Sequence, residues 1–121
     1  MNGLNSLLDT NVIIGLLKGN ESVIPLLHNI PLQTCGYSAV TRMELLGYPD
    51  LTTEETQAIN QLLARITYLA ISPLIEDLTI QFRQQHRVKL PDAIIAATAM
   101  AHGIQLLTLD KKLLVKVQAS Q

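Results

Sequence analysis

One cysteine, no tryptophan and only four other aromatic residues leave this chain poor in the groups that staple, anchor or stack. Cys35 cannot form an internal disulfide, and its apolar neighbourhood from Leu32 to Val40 reads as core, which suits a reducing cytosol better than secretion. Tyr37, Tyr48, Tyr68 and Phe82 are too scattered for a base-stacking platform, which argues against RNA binders of the RRM or OB type. Charge of one sign is lacking too. Nine Lys and Arg against ten Asp and Glu leave a net charge of −1, so no general basic field signals nucleic acid, and any polyanion must be met locally. Every apolar stretch is broken by a charge or a histidine well short of the ~18 residues a membrane helix needs. The opening MNGLNSLLD has neither a basic nor a long apolar segment of the signal-peptide kind. A soluble, cytoplasmic protein without membrane contact is expected. His28, His86 and His102 have no ligand spacing among themselves or with Cys35, which argues against zinc.

What is present is a core. A chain of 121 residues with 48% hydrophobic content fits one domain spanning residues 1–121. Gly and Pro occur singly, as punctuation between elements, and no repeat or low-complexity tract appears. Ser6 to Leu8 reads as a short buried strand, Thr10 to Lys18 as a helix stopped near Gly19, and Ser22 to Asn29 as a second, short helix. Leu32 to Tyr37 is the next strand, and Ser38 caps a helix running to about Gly47. Thr52-x-x-Glu55 is a capping box for a helix ending near Arg65, followed by a strand from Tyr68 to Ile71. Ser72-Pro73 supplies an N-cap and an N1 proline for a helix through about His86. Pro91 does the same for Asp92 to His102, which Gly103 closes. Gln105 to Leu109 is the fourth strand, with no element assigned after it and only a short tail from Leu114.

Strands alternating with helices in this way predict an α/β protein with a parallel sheet covered on both faces. All strand C-termini then share one edge, where ligands bind in such sheets. Asp9 ends the first strand and Asp110 the fourth, so both belong at that edge. Glu44 lies in the second turn of its helix, beyond the reach of a cap or the helix dipole, and its neighbours are mostly apolar. Asp92 sits near the start of its own helix, where the dipole favours it. Taken singly, Asp9, Asp92 and Asp110 are as readily helix-start acids as anything else. Together the four repel unless a cation sits among them, and a hard divalent ion with oxygen ligands answers that need.

The segments LLDTNVII, RMELLG, LPDAIIAATA and LLTLD follow in the order and spacing of the PIN-domain nucleases, which the chain resembles over nearly its whole length. The resemblance is closest to VapC-type toxins of toxin–antitoxin pairs. It implies a three-layer α/β/α domain with a mainly parallel sheet of four or five strands, Mg²⁺- or Mn²⁺-dependent endoribonuclease activity, an RNA substrate, an antitoxin partner and a homodimer. Matched residue by residue, Asp9, Glu44, Asp92 and Asp110 fall on the family's acidic quartet. Asp9 and Asp92 are then direct metal ligands, Glu44 a ligand or the group that orients water, and Asp110 a group acting through water. Asn11 and Thr108 fall on polar support positions, and Ser38 opens the helix that carries Glu44. After the fourth acid the chain reads Lys111-Lys112-Leu113, where many relatives carry a second acid and an aromatic.

Other chemistries fit less well. A receiver-type phosphoacceptor needs an Asp ending the central strand, whereas Tyr68 to Ile71 runs into Ser72-Pro73. A haloacid-dehalogenase-like phosphatase wants D-x-D, and Asn11 replaces the second Asp. Gly36-Tyr37-Ser38-Ala39-Val40 lacks the second Gly of a nucleophile elbow, and Gly15 to Gly19 lacks the Gly-Lys-Ser/Thr of a P-loop. Arg83, Arg87 and Lys89 form a local basic cluster that reads equally as a phosphate contact or a solvated helix end. The remaining alternative is a catalytically silent PIN-like module that binds RNA or protein.

Overall fold

The computed structural model describes residues 3–121. Four short strands, β1 (Ser6–Leu8), β2 (Cys35–Ser38), β3 (Thr67–Leu69) and β4 (Gln105–Leu107), form one parallel sheet in the order β3-β2-β1-β4. Each pairs in parallel, with Leu7 opposite Gly36 on one side and Leu106 on the other. Between the strands run α1 (Thr10–Lys18), α2 (Ile24–Leu27), α3 (Ala39–Leu46), α4 (Thr53–Leu63), α5 (Pro73–Gln85) and α6 (Leu90–His102). A final helix, α7 (Lys111–Ala119), follows β4.

The alternation of side chains along each strand divides the core in two. Leu8, Cys35, Tyr37 and Leu107 point to one face, where Val12 and Ile13 of α1 and Ile59 and Leu63 of α4 cover them. Leu7, Leu69 and Leu106 point to the other, under Phe82 of α5, the alanines Ala93, Ala96 and Ala99 of α6, and Leu113 and Val117 of α7. Small side chains on α6 let it pack close to the sheet, as its Ala-rich sequence predicts. The three-layer α/β/α arrangement therefore stands, with four strands among the described residues.

Local chemistry fixes most element ends. Ser38, Thr52 and Ser72 each cap their helix by accepting a backbone N–H three residues on, and Glu55 returns the bond to Thr52 N. Gly19 and Gly103 close α1 and α6 in the left-handed conformation, with φ of 67° and 63°. Some expectations shift. The second helix breaks into a 3-10 turn, Glu21–Val23, and the four-residue α2, whose Pro25 lacks the N–H needed to run them together. β3 lies earlier than Tyr68 to Ile71, because pairing of Gly36 with Thr67 and Ser38 with Leu69 sets its register. β4 stops at Leu107, since Leu109 N is taken by Asn11 Oδ1 at 3.1 Å and not by a strand. Lys89, not Leu90, is the N-cap of α6, which puts Pro91 at the second helical position and Asp92 at the third. α7 occupies residues to which the sequence pattern assigned nothing.

Candidate active site

The chain steps from β1 to β2 to β3 in one direction and then returns across the sheet to β4. Right-handed crossovers place the helices of the outward steps on one face and those of the return on the other. The direction reverses between β1 and β4, so the segments leaving these neighbours diverge and open a crevice at their C-terminal ends. Asp9 follows β1 directly, and its N–H donates to Leu107 O at 2.9 Å, tying it to β4.

Asp9 is buried, with 5% of its surface exposed. Its Oδ1 accepts Thr10 N at 2.7 Å and its Oδ2 accepts the Thr108 hydroxyl at 2.6 Å. Having given its proton to Asp9, Thr108 uses its lone pairs to accept Asp110 N at 3.0 Å and Asn11 Nδ2 at 3.3 Å. Asn11 thus bridges the start of α1 to the β4–α7 connection and holds Thr108 in the rotamer that serves Asp9. Thr108 thus bonds a carboxylate directly, whereas Asn11 reaches it only through Thr108. Burial pushes the Asp9 carboxyl above its ordinary value. The bonds from Thr108 and Thr10 oppose that shift, and the charges of Asp92 and Glu44 add to it.

Glu44, exposed on α3, is held by a hydroxyl chain the sequence reading missed. Thr10 Oγ1 donates to Glu44 Oε1 at 2.7 Å. With its only proton so committed, Thr10 accepts from Thr41 Oγ1 at 2.9 Å. Thr41 is fully buried, its N–H bonds Ser38 Oγ at 3.2 Å, and the Ser38 hydroxyl approaches it at a long 3.5 Å. Ser38 thus does more than open α3: it anchors the residue that orients Thr10. The one local signal for this chain was Thr41 standing three residues before Glu44, the spacing that puts two side chains on one helix face.

Asp92, half-buried in the first turn of α6, acts on Asp9 through its charge. Asp110 is placed differently. Its Oδ1 accepts Leu113 N at 3.1 Å as the N-cap of α7, and it is not among the charges that shift Asp9. The structure thus places Asp92 and Glu44 where their charges act on Asp9, and links Asp110 to Asp9 through Thr108. No cation among the described residues is one of the groups that act on Asp9. Among the described residues no group of three or more Cys, His, Asp or Glu side chains is placed so that it could hold a metal ion. The donors gathered at the crevice are nonetheless all carboxylate and hydroxyl oxygen, the hard set suited to Mg²⁺ or Mn²⁺.

A family model for the PIN domain matches residues 6–118. The chain belongs to the PIN-domain family. A solved toxin–antitoxin complex from Klebsiella pneumoniae contains a chain that is 33% identical, with 89% of this chain and 88% of that one covered and a TM-score of 0.78. FitAcB from Neisseria gonorrhoeae is 26% identical over 93% of each chain, with a TM-score of 0.77. DNA-bound VapBC from Salmonella typhimurium, at 23% identity, 84% and 83% coverage and a TM-score of 0.72, shares the fold. Comparison with curated proteins gave no match. PIN domains are generally nucleases, so the family and the acidic crevice point to the same kind of chemistry.

Proposed function

We propose that this PIN domain is a Mg²⁺- or Mn²⁺-dependent endoribonuclease and the toxin of a toxin–antitoxin pair. Asp9, Glu44 and Asp92 hold the ion, with Asp110 at the margin of the site acting through water. The observation that carries the reading is the burial of Asp9 beside two further acids, with no cation among the described residues acting on it. The charges of Asp92 and Glu44 add to the burial that raises the Asp9 pKa, an arrangement that favours a bound cation. Bound Mg²⁺ or Mn²⁺ supplies positive charge that polarises a phosphodiester and eases ionisation of the attacking water.

The protein's own part is orientation. Thr108 and Thr10 N fix both oxygens of Asp9, and the Thr41–Thr10 pair fixes one oxygen of Glu44, leaving its other oxygen to face solvent, ion or water. Second-layer bonds of this kind set ligand direction and basicity.

The likeness to chains of toxin–antitoxin complexes supports a protein partner. So does an open groove of about 490 Å³ between α1, α3 and α4, walled by Ile14, Leu17, Leu45, Tyr48 and Leu51 and reaching Glu44. Exposed apolar surface of this kind marks protein contacts. An antitoxin seated there would lie beside a site carboxylate. Self-association has a separate candidate surface: the apolar residues Ile59, Leu63 and Ile66 at α4 turn inward, but Leu74 and Ile80 of α5 remain exposed.

Incubation of single-stranded and structured RNA with the parent, with Mn²⁺ or EDTA, and with Asp9→Asn tests the reading. Cleavage by the parent in Mn²⁺ alone is expected. RNA binding without metal-dependent cleavage would instead make the chain a silent binding module.

A further inference from the structure

The net charge of −1 conceals a separation of charge along the chain. Six of the nine cations, Arg83, Arg87, Lys89, Lys111, Lys112 and Lys116, fall within residues 83–116, where the only acids are Asp92 and Asp110. Residues 1–82 hold the other eight acids and only three cations. The basic segment is also shaped. Arg83, His86, Arg87, Val88 and Lys89 line an open depression of about 570 Å³ where α5 turns into α6.

Its walls are braced. His86 packs against Phe82 with ring centroids 4.7 Å apart and bonds Ser120 Oγ at 2.9 Å, while Lys116 Nζ donates to Arg87 O at 3.2 Å. Arg83 Nε reaches Val88 O at 3.4 Å. These contacts fix the backbone of the turn and leave Arg87 and Lys89 exposed, with no carboxylate lining the depression.

Lys89 is costly to the helix it begins. As N-cap of α6 it makes no side-chain capping bond, where Ser, Thr, Asp or Asn would, and its charge opposes the positive end of the helix dipole. A stability explanation for a lysine there is lacking, whereas an anion-binding one is direct. Asp92 lies three residues further on, roughly 5 Å along the helix axis, and its charge already reaches Asp9. Lys89, on the rim of the depression, thus stands about one helical turn from Asp92.

We propose that Arg83, Arg87 and Lys89 form a phosphate-binding subsite that takes an RNA backbone phosphate next to the one held at the acidic crevice. The subsite rests on the ribonuclease reading for its ligand. It offsets the repulsion between a polyanion and the carboxylates, and gives a chain of net negative charge a local basic landing. Arg presents a fork suited to phosphate oxygens and Lys a compact charge.

The test is binding of a fluorescein-labelled oligouridine in EDTA, followed by anisotropy across a salt series, for the parent, the double variant Arg87→Gln/Lys89→Gln and the control double variant Lys18→Gln/Arg65→Gln. Each single-strand phosphate contact contributes about 0.7 to the slope of log affinity against log salt. The Arg87/Lys89 variant should weaken binding and lower the slope by about 0.7, the share of one phosphate, with the control unchanged and both melting no lower than the parent. Equal slopes in all three proteins, or an equal loss in the control, would overturn the subsite. Lys89→Glu, which reverses the charge, should weaken binding further than Lys89→Gln, and binding unchanged by it would also overturn the subsite. Metal-dependent cleavage by the parent with unaltered slopes would sink the subsite alone, whereas a lowered slope without cleavage would sink the nuclease reading and leave the phosphate site.

Discussion

The β1–α1 and β4–α7 junctions look alike in sequence, LLDTN beside LLTLD, yet their acids do different work. Asp110 is a helix cap in the ordinary sense: its carboxylate takes the N–H of the third residue of α7. Asp9 takes only the N–H of the first residue of α1, and the next free N–H groups of that helix go to its backbone carbonyl. Its second oxygen is turned across the crevice to Thr108. A cap needs no burial, no bond from a hydroxyl on another strand's end and no neighbouring acids. Asp9 has all three besides its cap bond to Thr10 N.

Breaking this contrast should have its largest effect on RNA cleavage. Asp9→Asn preserves shape and removes charge, and should lower the cleavage rate by more than about a hundredfold, beyond the ~10–100-fold typical of outer support residues. Asp110→Asn, in the same assay, should lose far less; equal losses would erase the distinction between the junctions. Thr108→Val removes the donor to Asp9 and the one oxygen that accepts from Asn11 Nδ2 and Asp110 N, and should weaken Mn²⁺ affinity by about 10–100-fold in calorimetric titration. Thr10→Val should weaken it by about tenfold through Glu44, and Thr10→Ser should restore it because the hydroxyl returns. Smallest is the cap itself: Asp110→Ala should cost ~1 kcal/mol in a denaturant melt, and Asp110→Asn close to nothing.

How much of this could be read beforehand follows from the range of each interaction. Caps at Ser38, Thr52 and Ser72, and the glycine stops at Gly19 and Gly103, are local and were legible. A chain of strand–helix units also predicts that Asp9, Asn11 and Thr108 meet at one sheet edge, and there they are bonded to one another. The bounds of β3 were not legible, since an edge strand's register is set by β2 and not by its own residues. α7 escaped notice because its start is lysine-rich and only Leu113 and Val117 of its apolar residues are buried. The hydroxyl chain was hidden for the same reason as the register: Thr10 and Thr41 meet across 31 residues of sequence, and no local pattern reports that contact.

The central claim, that Asp9 is held at a cation site at a cost to the metal-free fold, is tested most directly by thermal melts of the parent and Asp9→Asn with EDTA and with Mn²⁺. Burial raises the Asp9 pKa above its unfolded value, so the folded state binds the proton more tightly and stability falls as pH climbs past the ordinary carboxylate range. In EDTA the parent should therefore melt no higher than Asp9→Asn at neutral pH, and the gap should close below about pH 4, where the unfolded carboxyl is also protonated. Mn²⁺ should then stabilise the parent by about 2.7 kcal/mol at a hundredfold excess over its dissociation constant, and the variant far less. A parent whose melting temperature ignores millimolar Mn²⁺, and exceeds that of Asp9→Asn in EDTA at neutral pH, would contradict the account and return Asp9 to the role of a structural cap.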